Sequence, residues 1–91
     1  MEDKFLIAWG NARELAQKQG IRLRPMELTL VNAHRQLSSR RESDGFFALA
    51  DKGLLKLSLE ALAISKAYTG LFSDEEANNA LNRLLDAGYH F

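Results

Sequence analysis

Residues 73–89 read SDEEANNALNRLLDAGY, and this stretch decides the fold class. Ser73 with Glu76 three residues on spells a capping box. Asp74, Glu75 and Glu76 also place three acids on the positive end of a helix dipole. Phe72 and Ala77 can close a hydrophobic staple across that start. Ala77, Ala80, Leu81, Leu84 and Leu85 recur at helical spacing and are expected to face a core. Asn78, Asn79, Asn82, Arg83 and Asp86 are expected to face outward. Gly88 supplies a left-handed stop and puts Tyr89 against Leu84, as in a Schellman ending.

Working toward the N-terminus, Ser58 is a good N-cap for a fourth helix. Leu59, Leu62, Ala63, Ile64, Ala67 and Tyr68 make it apolar over a wide, central face, and Gly70 ends it. A short third helix carries Phe46, Phe47, Leu49 and Ala50, capped by Ser43 or Asp44 and closed by Gly53. Ser38–Asp44 contains no apolar residue. It is expected to be a loop or a frayed helix end, and the most mobile part of the chain. Pro25 suits the first turn of a second helix with Met26, Leu30, Ala33 and Leu37 inward, and a strand over residues 27–32 is the competing reading. Phe5, Trp9, Ala12 and Ala16 form the stripe of a first helix over residues 3–19, widened by Ala8 and Leu15. Gly20 stops it, and Gly10 within it is expected to let another backbone approach beside Trp9. The expectation is an all-α fold, a compact bundle of about five short helices in one domain over residues 1–91. A minimal β-bridge between residues 21–24 and 89–91 can accompany it.

The chain has 91 residues, with 46% hydrophobic and 26% charged, an ordinary globular composition. It has no Cys, which removes disulfide frameworks and thiolate metal sites. Met1-Glu2-Asp3-Lys4 lacks the basic start of a signal peptide, and no apolar run is long enough for a membrane span. A cytoplasmic, non-membrane protein is expected. Lys and Arg total 12 and Asp and Glu total 12, yet the zero net charge is uneven. Residues 1–42 hold eight basic and five acidic side chains, net +3, and residues 43–91 hold four and seven, net −3. Two copies could pair head to tail on that asymmetry.

No catalytic set is legible. There is no Gly-x-Ser-x-Gly elbow and no Gly-x-x-x-x-Gly-Lys loop, and the acids after Ser73 are explained by capping. His34 and His90 are far apart. His34 borders an apolar stripe and is expected to be a partly buried, hydrogen-bonded residue, whereas His90 is expected at an exposed end or a partner contact. The expectations are therefore no enzyme activity, no metal, no cofactor and no small-molecule substrate. The remaining class is a regulatory module that binds another protein, a second copy as homodimer included. Phe46, Phe47, Leu54 and Leu55 are the candidate apolar anchors, with Arg35, Arg40 and Arg41 steering. The alternative is a nucleic-acid-binding regulator using Arg35–Arg41, where residues 28–41 contain no acid. A helix–turn–helix over residues 45–68 fits that alternative poorly. Its second helix would present Leu59–Lys66, mostly apolar and including Glu60, to the bases.

Overall fold

A computed structural model of the chain describes residues 1–89. Five α-helices follow one another: α1 (Glu2–Lys18), α2 (Leu30–Ser38), α3 (Phe46–Asp51), α4 (Leu59–Ala63) and α5 (Asp74–Asp86), with 3-10 turns at Leu55–Leu57 and Lys66–Tyr68. Among the described residues there is no strand. The bridge envisaged from residues 21–24 to 89–91 has no counterpart there, and its far residues 90 and 91, like His90, lie outside the described residues.

The two ends of α5 are formed as their residues dictate. Ser73 Oγ accepts from Glu76 N at 3.1 Å and Ser73 N donates to Glu76 Oε1 at 2.9 Å, completing the box. Gly88, at φ +81°, turns the chain so that Tyr89 N reaches Leu84 O at 2.9 Å and Gly88 N reaches Leu85 O at 3.0 Å. These are the two bonds of a Schellman ending. On α1 the stripe Phe5, Trp9, Ala12 and Ala16 is buried, but Leu15 is 49% exposed. At 100° per residue Leu15 stands about 80° off the stripe, beyond the reach of the core. At Gly10 it is the Leu28 side chain and not a backbone that comes close; a Cβ there would stand 3.4 Å from it.

Three boundaries differ from expectation. Residues 21–29 are irregular, neither helix nor strand, and α2 begins only at Leu30. Thr29 is its N-cap: the hydroxyl accepts from Asn32 N at 3.2 Å, while Asn32 Nδ2 donates to Glu27 O at 2.7 Å. The Asx/Thr cap outcompetes the Pro25 start because it satisfies orphan backbone groups, and it leaves Met26 and Leu28 free to pack inward from an extended segment. The fourth helix breaks after Ala63. Ser65 is extended and its hydroxyl accepts from Ala67 N, the local competition with the helical ladder that serine favours. The break brings Tyr68 edge-on to Phe5, with centroids 5.2 Å apart. Finally, the cap of α3 is neither Ser43 nor Asp44 but Gly45, at φ +80°. A Cβ at position 45 would collide with the Leu23 side chain.

Two apolar clusters fill the interior. One gathers Phe5, Trp9, Ala33, Leu37, Leu59, Ala63 and Ala80. The other gathers Ala16, Ile21, Phe46, Leu49, Leu55 and Leu84. Ile64 packs against both.

Candidate partner-binding surface

The face of α5 that meets the core is not fully apolar. Its buried residues are Glu76, Ala80, Arg83 and Leu84, whereas Leu81 is 36% and Leu85 53% exposed. Arg83, expected outward, is turned in because acceptors await it there. Its Nη1 donates to Glu60 Oε2 and to Gln36 O, both at 3.1 Å. Its Nη2 donates to Leu37 O at 3.3 Å and Ser39 O at 2.6 Å. The guanidinium thus caps the C-terminus of α2, where carbonyls lack helical partners and the dipole is negative. Glu60, fully buried on α4, receives Ser43 N at 2.8 Å on Oε2 and the Ser43 hydroxyl at 2.5 Å on Oε1.

These bonds hold the segment expected to be mobile. Arg83 grips it at Leu37 and Ser39, and Glu60 grips it at Ser43. Gln36 Oε1 accepts from Asp44 N at 3.1 Å, and Asp44 Oδ2 accepts from Arg24 N at 2.7 Å beside Arg13 at 3.6 Å. The Ser39 hydroxyl sits 2.8 Å from Arg41 O and 3.2 Å from Arg41 N, closing the turn. Arg40 and Arg41 therefore project from a backbone fixed on both sides. Both are exposed, as is Arg35, and none of the three is in an ion pair among the described residues. Arg40 borders a polar depression of about 510 Å³ shared with Glu42, Glu75, Asn82 and Asp86.

The four apolar candidates divide. Phe46 is 1% and Leu55 6% exposed, so both belong to the core; Phe47 is 65% exposed and Leu54 is half-buried. Phe46 and Phe47 meet edge-to-face at 5.7 Å. The buried ring thereby steadies the exposed one, and both follow directly on the fixed turn.

His34 is held as expected. Its Nδ1 lies 2.7 Å from Glu76 Oε2, which also accepts from Ser38 Oγ at 3.2 Å. Glu76 consequently does more than cap α5: it ties α2 to α5. Burial pushes its carboxyl up, but the Ser73 backbone N–H, the His34 ring and the Ser73 hydroxyl outweigh burial and hold it below its ordinary value of 4.5. A carboxyl lowered on folding stabilises the fold above its unfolded value, and that stability is lost as pH falls through the lowered one. The wild type is expected to lose more stability than Glu76→Gln as pH drops from neutral to below 4.5. Urea midpoints measured across that range check it, and parallel curves would refute it.

Sequence reasoning missed Ser43, Asp44, Glu60 and Arg83. One signal was present: Glu60 is the single acid in the run Leu59–Ile64, and an acid inside an apolar helix needs a buried partner. Among the described residues no three His, Asp or Glu side chains gather as metal ligands do, and no helix is long and apolar enough to cross a membrane. Compared with protein-family models, with curated proteins and with solved structures, the chain finds no match in any of the three.

Proposed function

We propose that this chain is a small, non-enzymatic interaction module of the cytoplasm that acts by occupying the surface of a protein partner. One observation carries the reading: residues 40–47 present Arg40, Arg41 and Phe47 outward from a backbone held by the buried Glu60–Arg83 pair. Aromatic residues and arginine are the side chains most enriched in binding hot spots. Fixing them beforehand removes an ordering cost that would otherwise oppose association. Phe47 is the anchor and the two arginines steer; Leu54 lies at the margin. A nucleic-acid partner is less well supported, because Arg40 shares its depression with Glu42, Glu75 and Asp86, acids that repel phosphates.

The immobilised chain, exposed to an extract of its source cells, is expected to retain a protein that then binds the purified chain directly. Phe47→Ala should weaken that binding by roughly thirtyfold or more, the scale of a hot spot. It should leave the thermal midpoint unchanged, since the ring is 65% exposed. Arg40→Ala/Arg41→Ala should mainly slow association and flatten its salt dependence. Equal binding by wild type and Phe47→Ala would overturn the assignment of the anchor.

A further inference from the structure

We infer that the partner docks on Phe47 through an acidic peptide segment, and that Arg22 and Arg24 belong to the same docking surface as Arg40 and Arg41. This rests on Phe47 and the arginine turn being where the partner binds, and it adds the chemistry of what binds there. Two segments distant in sequence lie side by side at this place. Lys52 Nζ donates to Gln19 O at 2.5 Å. The Leu23 side chain fills the space that a Cβ on Gly45 would take. Asp44 Oδ2 accepts from Arg24 N at 2.7 Å. Residues 19–24 therefore run antiparallel to residues 44–52, and Phe47 belongs to the stretch between the Gly45 and Lys52 contacts.

Burial alternates along the shorter segment. Ile21 is 4% exposed and Leu23 packs on the cluster of Phe46 and Leu49, whereas Arg22 and Arg24 are exposed. That is the period of an extended chain with one side on a core. The backbone of Arg24 is held from two directions, by Asp44 at its N–H and by Arg13 Nη2 at its carbonyl, 2.6 Å away. Arg22 and Arg24 enter no ion pair among the described residues. Over residues 19–24 and 39–53 the exposed charges are Arg22, Arg24, Arg40, Arg41 and Lys52 against Asp51 alone. Glu42 and Asp44 are half-buried, and Asp44 already faces Arg13 at 3.6 Å. Guanidinium groups pair in fork geometry with carboxylates and phosphates alike. A phosphate backbone carries charge along its whole length and would meet Asp51 and Glu42 as well. A peptide can set its carboxylates opposite the arginines and an apolar side chain opposite Phe47. That difference selects an acidic peptide as the occupant.

Titration calorimetry tests it with a synthetic peptide in which one Leu is flanked on both sides by Glu residues. The same peptide with Gln for Glu, and a short DNA duplex, are run beside it. At low salt the Glu peptide is expected to bind, to weaken as salt rises, and to bind more tightly than either control. Arg22→Ala/Arg24→Ala should weaken it by roughly three- to tenfold, the scale of two exposed ion pairs. Helical circular dichroism should stay unchanged, since both side chains are exposed. Lys4→Ala/Lys66→Ala removes the same charge at the other end of α1, where Tyr68 meets Phe5, and should leave the affinity within about twofold, as screened distant charges do. Equal binding of the two peptides, equal losses in the two double variants, or DNA bound as tightly as the Glu peptide would each overturn the inference. An extract protein retained by the wild type but not by Phe47→Ala, on a chain that ignores the Glu peptide, would overturn it while leaving the preceding reading in place.

Discussion

Arg83→Ala is expected to destabilise the fold by about 3–5 kcal/mol, the usual cost of removing one partner of a buried ion pair. The reason lies on the side that remains. Glu60 is fully buried and would keep only its two bonds from Ser43, with an uncompensated charge in a low-dielectric surround. The Ser39 carbonyl would lose its donor at the same time, while Gln36 O keeps the Ser39 hydroxyl and Leu37 O keeps Asn79 Nδ2. A domain of this kind has a total stability of about 5–15 kcal/mol, so the variant should be close to unfolded at moderate temperature. Urea titration followed by circular dichroism measures it. The companion is Arg83→Met with Glu60→Leu, which removes both charges and should recover much of the loss. A cost for Arg83→Ala below about 1 kcal/mol, in the range of an exposed pair, would show that the pair contributes no more than surface charges do.

Phe5→Ala is expected to cost a similar amount, about 3–5 kcal/mol, by a different mechanism. The ring is completely buried. It meets Phe72 at 5.0 Å and Tyr68 at 5.2 Å, both edge-to-face, and Trp9 at 6.1 Å. Truncation leaves a cavity and removes aromatic contacts worth about 0.5–1.5 kcal/mol each. Trp9 is the one tryptophan in the chain and is 2% exposed, so its fluorescence reports on the change directly. The emission should shift to longer wavelength as water enters. Phe5→Leu, which keeps most of the volume, should cost clearly less. Equal losses for the two variants would argue against a cavity as the cause.

How far the sequence carried the reading depended on the range of the interactions involved. The capping box at Ser73–Glu76 and the glycine stop at Gly88 were legible because each is written within a few neighbouring residues. The stripe of α1 was legible because helical periodicity is local too. The start of α2 was not, since Pro25 and Thr29 are both acceptable beginnings. The choice was made by Met26 and Leu28 packing inward and by Asn32 bonding back to Glu27. The orientation of α5 was misread at Arg83 for a related reason. A one-dimensional pattern places an arginine in water unless its acceptors are known. Here Glu60 stands 23 residues away and the α2 carbonyls 44 to 47 residues away. Phe46 and Phe47 were equivalent candidates in sequence and became core and surface only when Gly45 set the direction of α3.

The turn carrying Arg40 and Arg41 is shaped from behind, by groups that never reach its outer side. Its backbone course and its outward side chains are therefore separable properties. Residues 40 and 41 can be exchanged for others while Arg83, Glu60 and Ser43 keep the same loop. The division of labour is that of a framework and the loop it carries: the side chains at the rim can be changed without renegotiating the fold.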